Sequence, residues 1–526
     1  MRRYLVALAC AMLLAGGLSS ATASVVEDGR WSPASVEILP DDRSMWWPDN
    51  AELSGARAAA FGWLDSQQTS DGRWSEDYGV TALVSFAMLN GGRDSDHPVV
   101  AKAMAAVLAE AKEDGSFSEG TYVHYYTSTA VMALSAGGDP SDETLVRDGV
   151  DMLVREQCDG DEEGFEEWWR GGIGYGGDGR PDMSNTQFAL MALAAAEEAY
   201  PSIDVPQTTW QQALKFLHRC QNLPEVNDLE WDNDPADPNF GDGGFIYFPG
   251  RSNVGDFISY GSVTAAGLWS MMAAGETTDD PASAAALSWL GDNFRAGENP
   301  AFGDSAYYYY VWALARALRS AGTPAIQAPD GTLLTWAVDL ADELLDRQSM
   351  DGSWVNEGSS AYWEGDPVVA TCFALLGIEA LMPSEGATLR ISAPDGIVRV
   401  TDPEGRRDAE IPGWSQEPDG DVVLDDTSQG PFSVQVDGAD TVEISSQVEG
   451  RVRMTKEVGL APGGGSMTLD VAPLLGPASL VVAQVGALPV TPTGSSTPGA
   501  RVMMAVMAVV VLAAVASIIV RRGARG

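Results

Sequence analysis

The sequence predicts a mainly α-helical chain. The expected fold is an α6/α6 toroid of six helix–turn–helix repeats, then a small antiparallel β-sandwich and a C-terminal transmembrane helix. Three observations carry this. The turn Asp-Gly-x-Trp occurs twice behind a helix-like run with a terminal glutamine: Gln67 with Asp71-Gly72-Arg73-Trp74, and Gln348 with Asp351-Gly352-Ser353-Trp354. Looser copies lie between them, at Asp114-Gly115-Ser116-Phe117, Gly172-Ile173-Gly174-Tyr175, Gly243-Gly244-Phe245 and Pro300-Ala301-Phe302-Gly303. Second, half-polar and wholly apolar helical windows alternate through this region. Third, short β-prone runs replace them after Pro383. In the turn, Asp bonds its own backbone, Gly supplies positive φ, and the aromatic packs back onto the helix stems.

Taken in order, Met1 to Ala23 reads as a signal peptide. Arg2 and Arg3 precede an apolar run from Tyr4 to Leu18, and Ala21-Thr22-Ala23 is an A-x-A cleavage site. Cys10 sits too early for a lipoprotein signal. Residues 24–50 form a lead-in without a clear period. The first helices of the repeats are expected near Ala51–Gln67, Pro98–Lys112, Ser141–Gln157, Gln207–Gln221, Pro281–Phe294 and Leu333–Gln348. Their partners are expected near Gly79–Leu89, Thr127–Ala136, Asn185–Ala199, Val263–Ala274, Ala306–Ser320 and Pro367–Leu381. First helices carry charge on one face, as in Asp339, Asp342 and Glu343. Partners are apolar all round, as in Cys372-Phe373-Ala374-Leu375-Leu376, which reads as complete burial. An alternation of exposed and buried helices fits two concentric rings over residues 51–383, and closure would bury the end repeats.

Residues 387–486 hold the β-prone runs, among them Phe432-Ser433-Val434-Gln435-Val436 and Thr441-Val442-Glu443-Ile444. Residues 487–501 read as a linker rich in Pro and Thr. Val502 to Val520 is 19 residues without a charge or a proline, long enough to cross a bilayer. Arg521, Arg522 and Arg525 follow, so residues 521–526 are expected in the cytoplasm and the bulk of the chain outside it.

The net charge is −44, with only four lysines in 526 residues. Such a surface repels phosphates, which excludes a nucleic-acid partner. Two readings of the acidity stay open: a solvated surface suited to high salt, or binding of calcium or a cationic partner. For calcium the one candidate is the loop with Asp232, Asp234 and Asp237, with Asp242 nearby. It lacks EF-hand spacing. Cys158 and Cys220 end similar first helices and would face each other if those helices are neighbours. Helix axes stand about 8–10 Å apart, often too far for a bridge. Cys372 reads as a small core residue.

These repeats resemble the α/α-toroid repeats of squalene and oxidosqualene cyclases and of protein prenyltransferase β subunits. The turn around Gln348, Gly352 and Trp354 carries the resemblance, which covers about Ala51 to Met382. The chain looks closest to a bacterial branch bearing Ser184-Asn185-Thr186-Gln187, Tyr260-Gly261-Ser262, Glu298-Asn299-Pro300, Tyr307 to Tyr310 and Glu364-Gly365-Asp366-Pro367. The resemblance implies the toroid, but the sequence departs from the family's catalytic motifs. Cyclases of the squalene–hopene type protonate an alkene with an Asp-x-Asp-Asp acid, and none occurs here. Thr371-Cys372-Phe373-Ala374 only superficially resembles the oxidosqualene version. Prenyltransferases hold zinc with Asp, Cys and His. The three histidines, His97, His124 and His218, all precede Cys372. No cofactor is expected.

What remains is polar and aromatic residues where the buried helices begin. Equivalent helix ends in a toroid face one mouth. The expected ligand-binding set is Tyr122, His124, Asn185, Gln187, Tyr260, Tyr307 and Trp363, with Glu364, Asp366 and Asp182 as candidate acids. Ordinary capping accounts for Asp366 equally well. Two functions stay open. One is a secreted, membrane-tethered toroid that binds a ligand or an extracytoplasmic partner at its mouth. The other is an enzyme, terpene-cyclase-like or glycan-processing, that uses carboxylates in the cavity.

Overall fold

The computed structural model describes residues 47–487, apart from 49, 76–77, 161–163, 177–178, 230–239, 383–385, 395, 403–404, 419, 428–429, 449–450, 461–462 and 473–478. The expected signal peptide and the expected span at 502–520 lie outside the described residues. No helix among those described is long and apolar enough to cross a membrane.

The helices alternate as the composition requires. The outer set is α1 (Asn50–Gln67), α3 (Pro98–Leu108), α5 (Glu143–Arg155), α7 (Gln207–Arg219), α9 (Pro281–Asn293) and α11 (Trp336–Arg347). The inner set is α2 (Tyr78–Asn90), α4 (Val123–Gly137), α6 (Met183–Ala199), α8 (Gly261–Ala273), α10 (Tyr307–Ser320) and α12 (Pro367–Leu381). Outer helices bury one stripe; in α1 it is Leu53, Ala56, Ala60 and Leu64, at i, i+3 and i+4 spacing. Inner helices are buried almost throughout, as α12 is from Val368 to Leu381. Each inner helix packs on the next, and α12 packs on α2, so the inner ring closes. Outer helix α1 likewise meets α11 and α12. The array is mainly helical and fits an α-toroid of the cyclase kind. The expected first helix from Leu333 begins later, because Leu333–Leu334 (β2) pairs with Ile326–Gln327 (β1) in a short hairpin.

The turns explain the closure. Gly72, Gly115, Gly171, Gly243 and Gly352 all have positive φ, between 83° and 94°. A Cβ on each would strike a backbone carbonyl oxygen of the following outer helix: Lys102, Asp148, Gln212, Ala285 and Ala59 respectively. Glycine therefore serves both conformation and close approach. A glutamine side chain sews the same joint. Gln157 Nε2 donates to Gly171 O and Thr209 O, and Gln221 Nε2 to Gly243 O and Ala282 O. Gln348 Nε2 donates to Gly352 O and Ala56 O at 3.0 and 2.9 Å, tying the last turn to the first helix. In the first unit this role falls to Gln68, which donates to Gly72 O and Val99 O; Gln67, expected from the motif, bonds only Ser66. Trp74 and Trp354 each donate their indole N–H to a carbonyl ten residues earlier, Leu64 and Leu344. Inner-helix threonines then fix register. The hydroxyls of Thr127, Thr186, Thr264 and Thr371 accept from the turn N–H of Phe117, Ile173, Phe245 and Trp354.

Two antiparallel sheets follow. One has the order β5 (Trp414–Gln416), β6 (Val422–Leu424), β3 (Ala387–Ser392), β8 (Thr441–Val448) and β9 (Arg451–Gly459). The other runs β11 (Ser479–Ala487), β10 (Gly464–Ala472), β7 (Phe432–Asp437) and β4 (Ile397–Thr401). Alternate residues point inward, Leu389 and Ile391 from β3 with Val434 and Val436 from β7, and share one core. This layer and the helices form one compact unit. Buried Arg319, at the end of α10, pairs with Asp470 of β10 and donates to Ala380 O.

Cys158, Cys220 and Cys372 are buried, and no disulfide joins Cys158 to Cys220.

Candidate functional site

The inner-helix N-termini are capped by different means. Asp182 caps α6, accepting from Asn185 N–H at 3.0 Å, and exposed Asp366 caps α12, accepting from Val368 N–H at 2.9 Å. Helix α10 has no side-chain cap of its own, since Ala306 stands there in the left-handed region. Glu364, from the loop before α12, supplies it. Its Oε1 accepts from Tyr309 N–H at 2.8 Å and its Oε2 from Asn356 Nδ2 at 2.7 Å. Glu364 is fully buried; burial raises its pKa, and those hydrogen bonds oppose the rise. Both oxygens are engaged, so the expected working acid is a cap supplied by one unit to another.

Aromatic side chains from several units meet in a continuous ladder. At the open end, Tyr122, Tyr362 and Trp363 are 39%, 50% and 49% exposed. Tyr122 packs on Trp363, Tyr175 and Tyr126, with centroids 5.6, 5.7 and 6.0 Å away. Tyr362 and Trp363 both hold positive φ, 57° and 66°, which is costly for bulky residues. Tyr362 reaches Tyr260 through Phe302, at 5.5 and 4.9 Å.

One layer down is a knot of hydroxyls. Tyr125 donates to Ser184 at 2.6 Å, Ser184 and Tyr247 stand 3.0 Å apart, and Ser184 donates to Asp182 at 3.0 Å. Asp182 also accepts from the Asn185 amide at 2.8 Å. Burial raises the Asp182 pKa against these bonds, and raises those of Tyr125 and Tyr247.

The ladder continues through Phe188 of α6, 5.0 Å from Tyr125, to Trp312 of α10 at 5.8 Å and on to Phe373 of α12 at 5.6 Å. Phe188 and Phe373 each stand two residues past their helix's register threonine, so the fold aims them alike. Tyr309 lies among these rings and donates its hydroxyl to Gln187 Oε1. Gln187 is buried, and its Nε2 has no acceptor among the described residues. Since α8 stands between α6 and α10 in the ring, this bond runs across the inner face.

Of the expected residues, Tyr122, Trp363 and Gln187 join the ladder, Tyr260 belongs to the separate branch through Phe302 to Tyr362, and Asn185 and Asp182 lie beneath the hydroxyl layer. Two lie elsewhere. His124 is buried, its Nδ1 2.8 Å from Gly174 O and its Nε2 3.7 Å from Glu156, just past the end of outer helix α5. Tyr307 donates to Ala296 O, and its ring carries the Arg347 guanidinium of outer helix α11 at 4.0 Å. Both face outward. From the run Tyr307 to Tyr310 sequence reasoning chose Tyr307 where Tyr309 faces the interior, and it missed Phe188, Trp312, Phe373, Tyr175 and Tyr247; the offset from the register threonines would have found Phe188 and Phe373. Asp242 is no open calcium ligand. It accepts from Gly244 N–H, Ser259 Oγ and Trp289 Nε1, and burial raises its pKa to about 6. Asp232, Asp234 and Asp237 lie outside the described residues, and no metal-holding cluster of His, Cys, Asp or Glu occurs among those described.

Residues 78–247 match the family model of the squalene-hopene cyclase C-terminal domain. That match lies within the helical array and agrees with the resemblance carried by its repeat motifs. Among solved structures, the chain is similar to type II terpene cyclase MstE from Scytonema, with 15% identity and TM-score 0.40, over 62% of this chain and 98% of that one. It is also similar to a protein from Actinoplanes, with 15% identity and TM-score 0.38, over 62% of this chain and 99% of that one. A third is a glycosidase in complex with glucose, with 14% identity and TM-score 0.38, over 63% of this chain and 98% of that one. No curated protein matches the sequence.

Proposed function

We propose that this protein is a six-repeat toroid, exported and held to a membrane by residues 502–520, that binds an apolar, isoprenoid-like ligand through the mouth between Tyr122 and Trp363. One observation carries the reading. Rings run in unbroken contact from half-exposed Tyr122 and Trp363, through Tyr175, Tyr125 and Phe188, to Trp312 and Phe373 in the interior. Such a path offers stacking area with few orienting polar groups. Binding rather than turnover fits Glu364, whose oxygens hold α10.

The test is retention of radiolabelled farnesol by the full chain in lipid nanodiscs, against empty discs. Replacing Tyr122 and Trp363 together by Ala removes two ring contacts worth about 0.5–1.5 kcal/mol each, so affinity falls by about 5- to 150-fold. Unchanged retention would sink the mouth. For the topology, protease added to cells with a permeable outer layer should remove the toroid and spare the tail after Val502; a protected toroid reverses the orientation.

A second reading, proton transfer by Asp182, rests on its full burial beneath the tyrosine hydroxyls. Conversion of an isoprenoid by the native chain but not by Asp182→Asn would favour it.

A further inference from the structure

Arg316 is fully buried on α10, an inner helix. Its guanidinium lies 4.2 Å from the Trp269 ring of α8 and 4.8 Å from that of Trp312, and its Nη1 reaches Met191 of α6. The side chain therefore crosses the inner face of α8, as the Tyr309–Gln187 bond does. Tyr309 lies seven residues before it on the same helix, about 10 Å nearer the N-terminal end. Among the described residues no carboxylate pairs with Arg316, and its Nε and Nη2 have no acceptor. Two indole faces offer some compensation to the cation but accept no hydrogen bond in the plane of the guanidinium. A buried charged donor without an acceptor is among the costlier features a fold can hold, and a ligand that supplies the acceptor relieves it.

The open edge has a specific geometry. Nε and Nη2 form the side-on fork that takes both oxygens of a carboxylate. The same fork is filled elsewhere in this protein, where Arg219 Nε and Nη2 grip Asp228 at 2.6 and 2.9 Å. Resting on the reading of the aromatic ladder as a ligand path, we infer that Arg316 is the anchor for a carboxylate head group, and that the ligand is an apolar carboxylic acid bound head inward. A single guanidinium balances one negative charge, and no second cation is placed against it among the described residues, which favours a carboxylate over a phosphate dianion. Burial pulls the Arg316 pKa down to about 9, so the side chain still carries its charge at neutral pH. Gln187 Nε2, another buried donor without an acceptor among the described residues, lies beside Tyr309 on the same path and fits a polar atom further along the ligand.

The experiment compares radiolabelled farnesoate with farnesol on the full chain in nanodiscs. Wild type should hold farnesoate at least tenfold more tightly than farnesol. Arg316→Gln should abolish that preference and leave farnesol unchanged. Arg316→Lys keeps the charge but lacks the fork, and should lose at least threefold for farnesoate alone. Farnesoate should also raise the melting temperature of wild type and not that of Arg316→Gln, which a merely structural arginine would not produce. If acid and alcohol bind alike, or if both variants keep the preference, the head-group assignment is wrong while the mouth stands. If wild type retains neither compound, the assignment falls together with the ligand path.

Discussion

Gly352→Ala tests whether the ring is closed by its own turn chemistry. Gly352 has φ +94°, and a Cβ there would stand 2.5 Å from Ala59 O and 2.7 Å from its carbonyl carbon. Neither atom is the end of a flexible side chain; both are backbone of α1. The left-handed conformation alone costs an alanine about 1–2 kcal/mol. Forcing a methyl against packed backbone adds about 1–3 kcal/mol. Gly331 separates the two terms. Its φ is +85°, but a Cβ there meets only Gln327 Nε2, at 3.9 Å. Gly331→Ala should therefore lose about 1–2 kcal/mol, and Gly352→Ala about 2–5 kcal/mol. Urea unfolding followed by circular dichroism measures both. Gly72→Ala, with Lys102 O at 2.6 Å, should behave like Gly352→Ala, because first and last turns make the same joint. If Gly352→Ala costs no more than Gly331→Ala, the last turn does not rest on the first helix and the array is open.

Three further outcomes follow from the same geometry. Trp354→Ala should cost about 3–5 kcal/mol for a fully buried indole that also bonds Leu344 O, while a loss under about 1 kcal/mol would mean the ring is not a turn anchor. Glu364→Ala leaves Tyr309 N–H buried without its acceptor, at about 1–3 kcal/mol, and leaves Asn356 Nδ2 only its bond to Asp304 O, so it should unfold at clearly lower urea than Asp366→Ala, whose carboxyl is exposed; equal midpoints would refute the capping role. Asp242 should make stability fall with rising pH: its folded pKa, about 6, exceeds the ordinary 3.8, so the native state binds the extra proton between these values. Stability from this group is full below pH 3.8 and is lost as pH rises through 6, so the wild-type advantage over Asp242→Asn should shrink by up to about 3 kcal/mol from pH 4 to pH 7; an advantage that grows over this range would reverse the assignment.

The sequence by itself determined the alternation of helices and their approximate ends, because apolar period and turn chemistry are local. It also marked Gly352 and Trp354, since positive φ beside a large aromatic is legible in one turn. It pointed to Gln67 where Gln68 makes the joint: neighbours at a helix end differ only in which reaches the next helix. Only the tertiary structure decided which side chains share the interior. Tyr307 to Tyr310 are four identical residues on one helix turn, pointing about 100° apart. Packing of α10 between α8 and α12 turns Tyr309 inward and Tyr307 toward Arg347. Glu364 stood beside a helix start in the sequence, yet it caps a different helix, more than fifty residues away, because ring closure sets that loop over α10. Arg316 carried no motif, and its significance is the absence of an acceptor, which is a property of surroundings and not of sequence.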